Sequence, residues 1–397
     1  MLVTATGLLA RLLLRRRKGL TLAPKNAACD DSEFDQAEMA DLLIFSYKEP
    51  EQAGTNYFDE KRELGGGGYG KVYLGKLRDG RNVAVKRFHE NNCNRVRQFA
   101  NEVRILSSVR HCNLVRLFGC CKERQNLLLV CEYVPNGTLF DHLHGEQRRK
   151  NGLRWDARLK IALETASALA YLHFDSYPPI FHRDVKSTNI ILDENMGVKV
   201  ADFGLSRLVP IEASHVSTSP QGMPGYVEPD YNQFYQLTDK SDVYSFGVVL
   251  IEIISGKKAV DELRDGREIS LAQMASTKIQ MGTLQELVDS DLEFESDPVV
   301  NEMITSVAEL AFQCLSAEKD DRPCMMEGII LMSLERILGV LLLKLLIKVL
   351  LKLLMGMLLE LLLEITLVRL VLMGMLVVLL LLLLVKLLLE MILEIIM

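Results

Sequence analysis

Five glycines fill six positions, Gly65 to Gly68 and Gly70, just ahead of Val83-Ala84-Val85-Lys86. Without a Cβ, such a stretch lets backbone N–H groups approach phosphate oxygens unobstructed. Gly65, Gly67 and Gly70 stand in a G-x-G-x-x-G spacing, followed by Val72. Alone, that spacing equally describes a glycine-rich hairpin. A dinucleotide site would need a helix opening at the third glycine, but Lys71-Val72-Tyr73-Leu74 continues as strand. Lys86 ends a second apolar strand, sixteen residues after Gly70. A lone charge there is costly, and Glu102 on the next helical stretch has the sign to offset it. Such a lysine can hold the α and β phosphates of a nucleotide. Taken singly, any lysine is more simply a surface residue.

A second group lies downstream. Asp184 follows His182-Arg183 and precedes Lys186 and Asn189; Asp202-Phe203-Gly204 begins thirteen residues beyond Asn189. Asn189 and Asp202 offer hard oxygen ligands of the kind that suit Mg²⁺, which keeps waters and substrate phosphates as its other ligands. Asp184 would orient an attacking hydroxyl and accept its proton, and Lys186 would neutralise charge on the moving phosphoryl group. One Asp alone is ordinarily a helix cap or a solvated loop residue. The whole string, H-R-D-V-K-S-T-N and then D-F-G, is far more specific. Its chemistry is transfer of the terminal phosphoryl group of Mg·ATP.

These residues need elements to place them. Val72-Tyr73-Leu74 and Val83-Ala84-Val85 read as strands around an Asp79-Gly80 turn, and Leu127 to Val130 as another strand. Arg95 to Ser108 reads as a helix with Phe99, Val103 and Leu106 on one face. Trp155 to His173 carries apolar residues at helical spacing, and Val243 to Ile254 is apolar enough for a buried helix. The expected fold is therefore α+β, with a small sheet-rich lobe followed by a larger helical one. A chain of 397 residues exceeds one ordinary core. The expected divisions are an N-terminal juxtamembrane-like segment (1–40), a linker (41–57), the small lobe (58–134), the large lobe (135–337) and a leucine-rich tail (338–397). A net charge of -6 gives no reason to expect nucleic acid as a partner. The eight cysteines form no C-x-x-C pair, which fits reduced thiols better than a disulfide framework or a zinc site.

From about Phe45 to Glu327 the chain resembles the plant receptor-like kinases, within them the leaf-rust-resistance-locus-like branch. The likeness is carried by Phe45-Ser46-Tyr47, Glu63-Leu64-Gly65, Gln98 to Val103, Asn136-Gly137-Thr138-Leu139, Asp141 to Gly145, His215 to Thr218 and Tyr244-Ser245-Phe246. The resemblance implies a bilobal kinase that phosphorylates Ser or Thr of protein substrates with ATP and Mg²⁺, associated with the cytoplasmic face of the plasma membrane, or cytoplasmic if the terminal apolar segments do not insert. It places adenine against the backbone of Glu132 to Val134, among Leu64, Val72, Ala84 and Ile191. It makes Asp242 the anchor of the catalytic-loop backbone. It implies control through a phosphate on Ser214, Ser217, Thr218 or Ser219 that pairs with Arg183.

Departures accompany the likeness. Met223 stands where the family has Thr, whose hydroxyl helps shape the substrate site, and this argues for reduced activity. Glu228-Pro229-Asp230 replaces Ala-Pro-Glu, with Asp230 expected to pair with Arg322. Cys131, at the back of the nucleotide pocket, reads most simply as a small buried thiol. The alternative function is a nucleotide-binding pseudokinase or scaffold; a third reading is a nonfunctional fragment of a receptor gene.

The ends are less legible. Leu2 to Leu14 followed by Arg15-Arg16-Arg17-Lys18 reads as the end of a membrane span, a targeting peptide or a disordered start, and is short of a full span. The tail is about half Leu and draws on nine residue types. Lys344, Lys348 and Lys352 continue into Glu360 and Glu364, and Lys386, Glu390 and Glu394 repeat that spacing, so a helical tail would carry narrow polar stripes. Membrane attachment, self-association and an erroneous reading frame compete as explanations.

Overall fold

The structure is a computed structural model. It describes residues 43–329, apart from 49–54, 90–93, 124–125, 151 and 211, together with residue 332 and positions 369, 372–376, 378–384 and 386. The N-terminal segment and most of the tail, including its Lys and Glu stripes other than Lys386, lie outside the described residues. Those described between 372 and 384 are helical and exposed. No helix among the described residues is long and apolar enough to cross a membrane.

The small lobe is built on a six-stranded sheet. Its strands are β1 (Leu43–Ile44), β2 (Glu63–Gly67), β3 (Gly70–Lys76), β4 (Asn82–Phe88), β5 (Leu117–Glu123) and β6 (Asn126–Glu132). Their order is β1-β5-β6-β4-β3-β2. All neighbours are antiparallel except β1, which runs parallel to β5. Residues 41–57, expected as linker, thus contribute an edge strand. The anticipated turn after β3 forms, with Gly80 at a φ of 90° that glycine adopts without strain.

Strand alternation assigns the two faces of the sheet. Tyr73, Val83 and Val85 are buried, whereas Val72, Ala84 and Lys86 are half-buried. Helix α1 (Arg95–Ser108) packs its Phe99, Val103 and Leu106 side inward, as the 3.6-residue spacing requires. Each of those side chains, fully buried, contributes about 1.5–3 kcal/mol.

The large lobe is mainly helical: α2 (Leu139–His144), α3 (Glu146–Lys150), α4 (Trp155–Ala170), α5 (Pro229–Phe234), α6 (Asp239–Ser255), α7 (Leu271–Gln280) and α8 (Pro298–Cys314). Helix α6 is its core and packs against α8 and α4. At its start Ser241 Oγ accepts from the Thr238 N–H at 3.2 Å, and Gly256 ends it in the left-handed region. Short strands fill the ground between helices. β7 (Ile180–Phe181) pairs with β10 (Arg207–Leu208), β8 (Ile190–Leu192) with β9 (Val198–Val200), and β11 (Val216–Ser217) with β12 (Gln236–Leu237). The β8–β9 hairpin and the turns around it carry the second group of reactive residues.

Candidate active site

The site forms where the sheet meets the helical lobe. Register puts Val72 opposite Lys86 and Ala84 opposite Cys131, so the cleft-facing side chains of three strands adjoin. The Lys86 ammonium lies 2.8 Å from Glu102 Oε2 and 2.7 Å from Asp202 Oδ1. Burial alone would lower its pKa, but the charges of Asp202 and Glu102 outweigh it and hold the ammonium well above the usual lysine range. Asp202 shows the complementary shift. Burial works against its charge, yet Lys86 holds the carboxyl below the ordinary value. Asp202 also sits at a φ of 68°, an uncommon backbone for a non-glycine residue.

The second group closes from below. Lys186 Nζ donates to Asp184 Oδ2 at 2.7 Å. Asn189 Nδ2 donates to the Asp184 carbonyl at 2.8 Å and to its carboxylate at 3.0 Å. The Asn189 carbonyl accepts from Ala201 N at 2.9 Å, which brings Asn189 beside Asp202. Asp242 anchors this loop as expected: its carboxylate accepts from the backbone N–H of His182 and of Arg183, both at 2.7 Å, and from His173 at 2.9 Å. Burial opposes the Asp242 charge, but the His173 bond and the nearby charges keep its pKa low.

The glycines divide in role. A Cβ built at Gly65, Gly67 or Gly68 meets nothing within 4 Å, so the β2–β3 hairpin leaves open space there. At Gly70 it would strike the Arg87 carbonyl oxygen on β4. Gly70 therefore admits the neighbouring strand, which the sequence pattern alone did not separate from phosphate contact. Tyr69 at the hairpin tip has its pKa raised, by burial first and then by the charges of Asp184 and Asp202. Leu64 is exposed at the mouth; Glu132, Val134 and Ile191 are half-buried, with Glu132 closing β6 and Ile191 on β8. The Glu132 side chain is engaged elsewhere, accepting from Arg116 N at 2.8 Å and facing Lys199 at 3.1 Å.

The unobstructed backbone of the exposed glycines and the half-buried apolar strand positions fit a nucleotide. Asn189 and Asp202 together offer an amide oxygen and a carboxylate, the hard donors a small divalent cation takes. No group of three or more His, Cys, Asp or Glu suited to a metal occurs among the described residues.

Several contributors escaped sequence reasoning. Asn101, beside Glu102 on α1, donates from Nδ2 to the carbonyls of Phe203 (3.0 Å), Gly204 (3.3 Å) and Ser206 (2.9 Å). Tyr231 Oη accepts from Arg183 Nε at 2.8 Å. Arg183 Nη2 also reaches Thr218 Oγ1 at 3.3 Å and the Ser219 carbonyl. Arg207 has its pKa pushed down to about 10, by burial first and then by the charges of Arg183 and Arg97. One expectation is corrected: Arg322 pairs with Glu228, at 2.7 Å, not with Asp230. Glu228 precedes α5 and is buried, whereas Asp230 lies in its first turn and is only partly buried. Burial pushes the Cys131 thiol far up, which agrees with an inert side chain. Met223 is 46% exposed.

Such a cleft, with a lysine–glutamate pair above and an Asp-Lys-Asn cluster below, defines a phosphoryl-transfer enzyme of the kinase type. The protein kinase domain family matches residues 58–330, and the chain belongs to that family, whose domain binds ATP, generally with a divalent metal. Among its relatives in Arabidopsis thaliana is the leaf rust 10 disease-resistance locus receptor-like protein kinase-like 1.2. The two are 57% identical over 316 residues, 78% of this chain and 48% of the relative. The same branch's member 1.4 is 55% identical over 294 residues, 74% of this chain and 43% of the relative. Wall-associated receptor kinase-like 14 is 52% identical over 293 residues, 74% of this chain and 41% of the relative. The chain spans about half the length of the curated relatives it matches.

Proposed function

We propose that this chain is an active protein serine/threonine kinase that transfers the γ-phosphate of Mg·ATP to hydroxyls of protein substrates in receptor-like signalling. The observation that carries the reading is the joint engagement of Lys86 by Glu102 and Asp202, because this trio holds nucleotide only when α1 and the Asp202 turn are both seated. Lys86 would bind the α and β phosphates, with the Gly65–Gly67 backbone over them. Asn189 and Asp202 would hold Mg²⁺. Adenine would lie among Leu64, Val72, Ala84 and Ile191, against the backbone of Glu132 to Val134. Asp184 would orient the attacking hydroxyl and take its proton, while Lys186 offsets charge on the transferred group. Nothing among these residues favours the pseudokinase alternative, and Met223 lies outside them.

Regulation follows from the arginines. The Thr218 hydroxyl already faces Arg183 at 3.3 Å, and Arg183 and Arg97 both disfavour the charge on Arg207. A phosphate on Thr218 would pair with Arg183 and order the segment. Membrane attachment at the cytoplasmic face of the plasma membrane is proposed from the receptor-like relatives alone. The kinase reading is tested by incubating the full chain with labelled Mg·ATP and a Ser/Thr-rich protein, beside Asp184→Asn. Incorporation on Ser or Thr that vanishes in the variant supports it. Nucleotide binding without incorporation in either protein would move the reading to a pseudokinase.

A further inference from the structure

The segment ahead of the family domain packs on the small lobe. The family match begins at residue 58, yet β1 lies upstream and pairs in register, Leu43 with Gly119 and Ile44 with Cys120. The chain continues along the β5 edge: Phe45 N donates to the Cys120 carbonyl at 2.9 Å, and Tyr47 N to Glu123 Oε1 at 2.8 Å. Gly119 is the receptor for this segment. A Cβ there would land on the Leu43 carbonyl oxygen and 2.6 Å from Phe45 Cε2. Backbone and ring thus both occupy space that only glycine leaves.

The side chains say what the segment covers. Phe45 and Tyr47 pack on the cluster that contains Phe58, Tyr73, Val83 and Val85, with the Tyr47 and Phe58 rings 6.1 Å apart. Tyr73 adjoins Val72, and Val83 and Val85 flank Ala84 and Lys86. By alternation, the cluster lies on the face of β3 and β4 opposite the cleft. Helix α1 reaches Lys86 through Glu102 from the cleft side. The two strands that present Lys86 and Val72 are therefore held between α1 on one face and the 43–47 segment on the other.

We propose that residues 43–47 form a positioning strap for the nucleotide-binding strands, with Gly119 as its docking point. Seated, the strap fixes the height of β3 and β4 over the cleft. Released, it leaves half-buried aromatic positions open and the strands free to shift. Displacements of about 1 Å remote from the chemistry can cost up to about a hundredfold in rate. The strap acts through β3 and β4, so its effect belongs to nucleotide and not to the peptide.

The proposal rests on the kinase reading for its kinetic arm. The full chain is compared with Phe45→Ala/Tyr47→Ala, with the conservative Phe45→Leu, and with Gly119→Val on the receptor side. Measured are KM for Mg·ATP, KM for a protein substrate, and backbone hydrogen exchange across β3, β4 and β5. The double variant and Gly119→Val are expected to raise KM for Mg·ATP about tenfold. Substrate KM should stay within twofold, and exchange in β3 and β4 should quicken. Phe45→Leu should behave as the parent. An unchanged KM for Mg·ATP, with faster exchange confined to β5, would overturn the proposal and leave the segment a passive cover. Should Gly119→Val not fold, the double variant carries the test, since it alters only half-buried side chains. If the parent chain transfers no phosphate, the kinase reading fails separately. The dissociation constant of Mg·ATP then replaces KM, with the same outcomes deciding.

Discussion

Replacing Asn101 by Ala removes one side-chain amide and leaves the backbone of α1 unchanged. That amide has two N–H groups and faces three carbonyls, of Phe203, Gly204 and Ser206. Two bonds can be made well at once, at 2.9 and 3.0 Å, with the third at 3.3 Å a shared contact. At about 1 kcal/mol net for each bond, the loss is about 2 kcal/mol. The energy is lost from the segment that holds Asp202 in its left-handed backbone against Lys86. With 1.4 kcal/mol to each factor of ten, kcat/KM for Mg·ATP should fall about 30-fold. Steady-state kinetics on the full chain, varying Mg·ATP at saturating protein substrate, measures it. A thermal melt run alongside separates local release from global loss, because Asn101 is only partly buried and leaves no core cavity. A change under twofold, or a fall matched by Asn101→Asp, which lacks donors, only in proportion to lost folded protein, would refute the tethering argument.

Four other outcomes are expected. Met223→Thr should raise kcat with little effect on KM for Mg·ATP, read by phosphate incorporation; no gain would remove Met223 as the cause of any low activity. Thr218→Val should lower the activity reached after preincubation with Mg·ATP at least about tenfold, since a phosphate there adds one to three charge-assisted bonds; equal activities would exclude Thr218 as the controlling site. Glu228→Ala should destabilise by about 3–5 kcal/mol because it leaves Arg322 charged and buried, whereas Asp230→Asn should stay within about 0.5 kcal/mol; denaturant melts decide, and the reverse order would restore the Asp230 pairing. The fourth concerns acid. Burial holds the His182 pKa below its ordinary 6.5, so the unfolded chain takes up that proton first. Its contribution is complete above pH 6.5 and declines on acidification, by up to about 1.4 kcal/mol per pH unit, until the folded pKa is reached. Melts at pH 7.5, 6.5 and 5.5 should lose this slope in His182→Asn, and an unchanged slope would contradict the assignment.

Periodicity made the regular elements legible. The Val83-Ala84-Val85 alternation and the α1 spacing reproduce the observed strand and helix, the latter to its end residues Arg95 and Ser108. The charged residues that meet around Lys86 and Asp184 could be picked out because their partners are of obvious charge, and the structure brings them together. What escaped is decided by geometry between distant segments. Asn101 acts on backbone carbonyls more than a hundred positions away, and no side-chain pattern records an acceptor of that kind. Glu228 and Asp230 carry the same charge two residues apart, and the entry into α5 decides which of them is turned inward. β1 is two residues long with exposed side chains, so its pairing, made through the backbone, leaves no alternation to detect. Gly70 sat inside a motif whose other glycines face open space, and the spacing could not tell the two uses apart.

The two halves of the cleft are held in different ways. The Glu252 carboxylate on α6 is fully buried and binds Ser187 Oγ at 3.0 Å, His144 Nε2 at 3.1 Å and Tyr226 Oη at 2.8 Å. Those three belong to the catalytic loop, the end of α2 and the turn that follows Met223. A shift in any of them strips a bond from a buried anion, which costs more than the shift could gain. Catalytic loop and substrate-side turn are therefore riveted to the long central helix as one fixed anvil. Across the cleft the coupling is thinner: Lys86 on β4 joins Glu102 of α1 to Asp202 below, and a Cβ at Gly65, Gly67 or Gly68 would meet no neighbour. One buried carboxylate thus ties three segments of the lower half together, whereas the upper strands reach that half through a lysine shared between two acids.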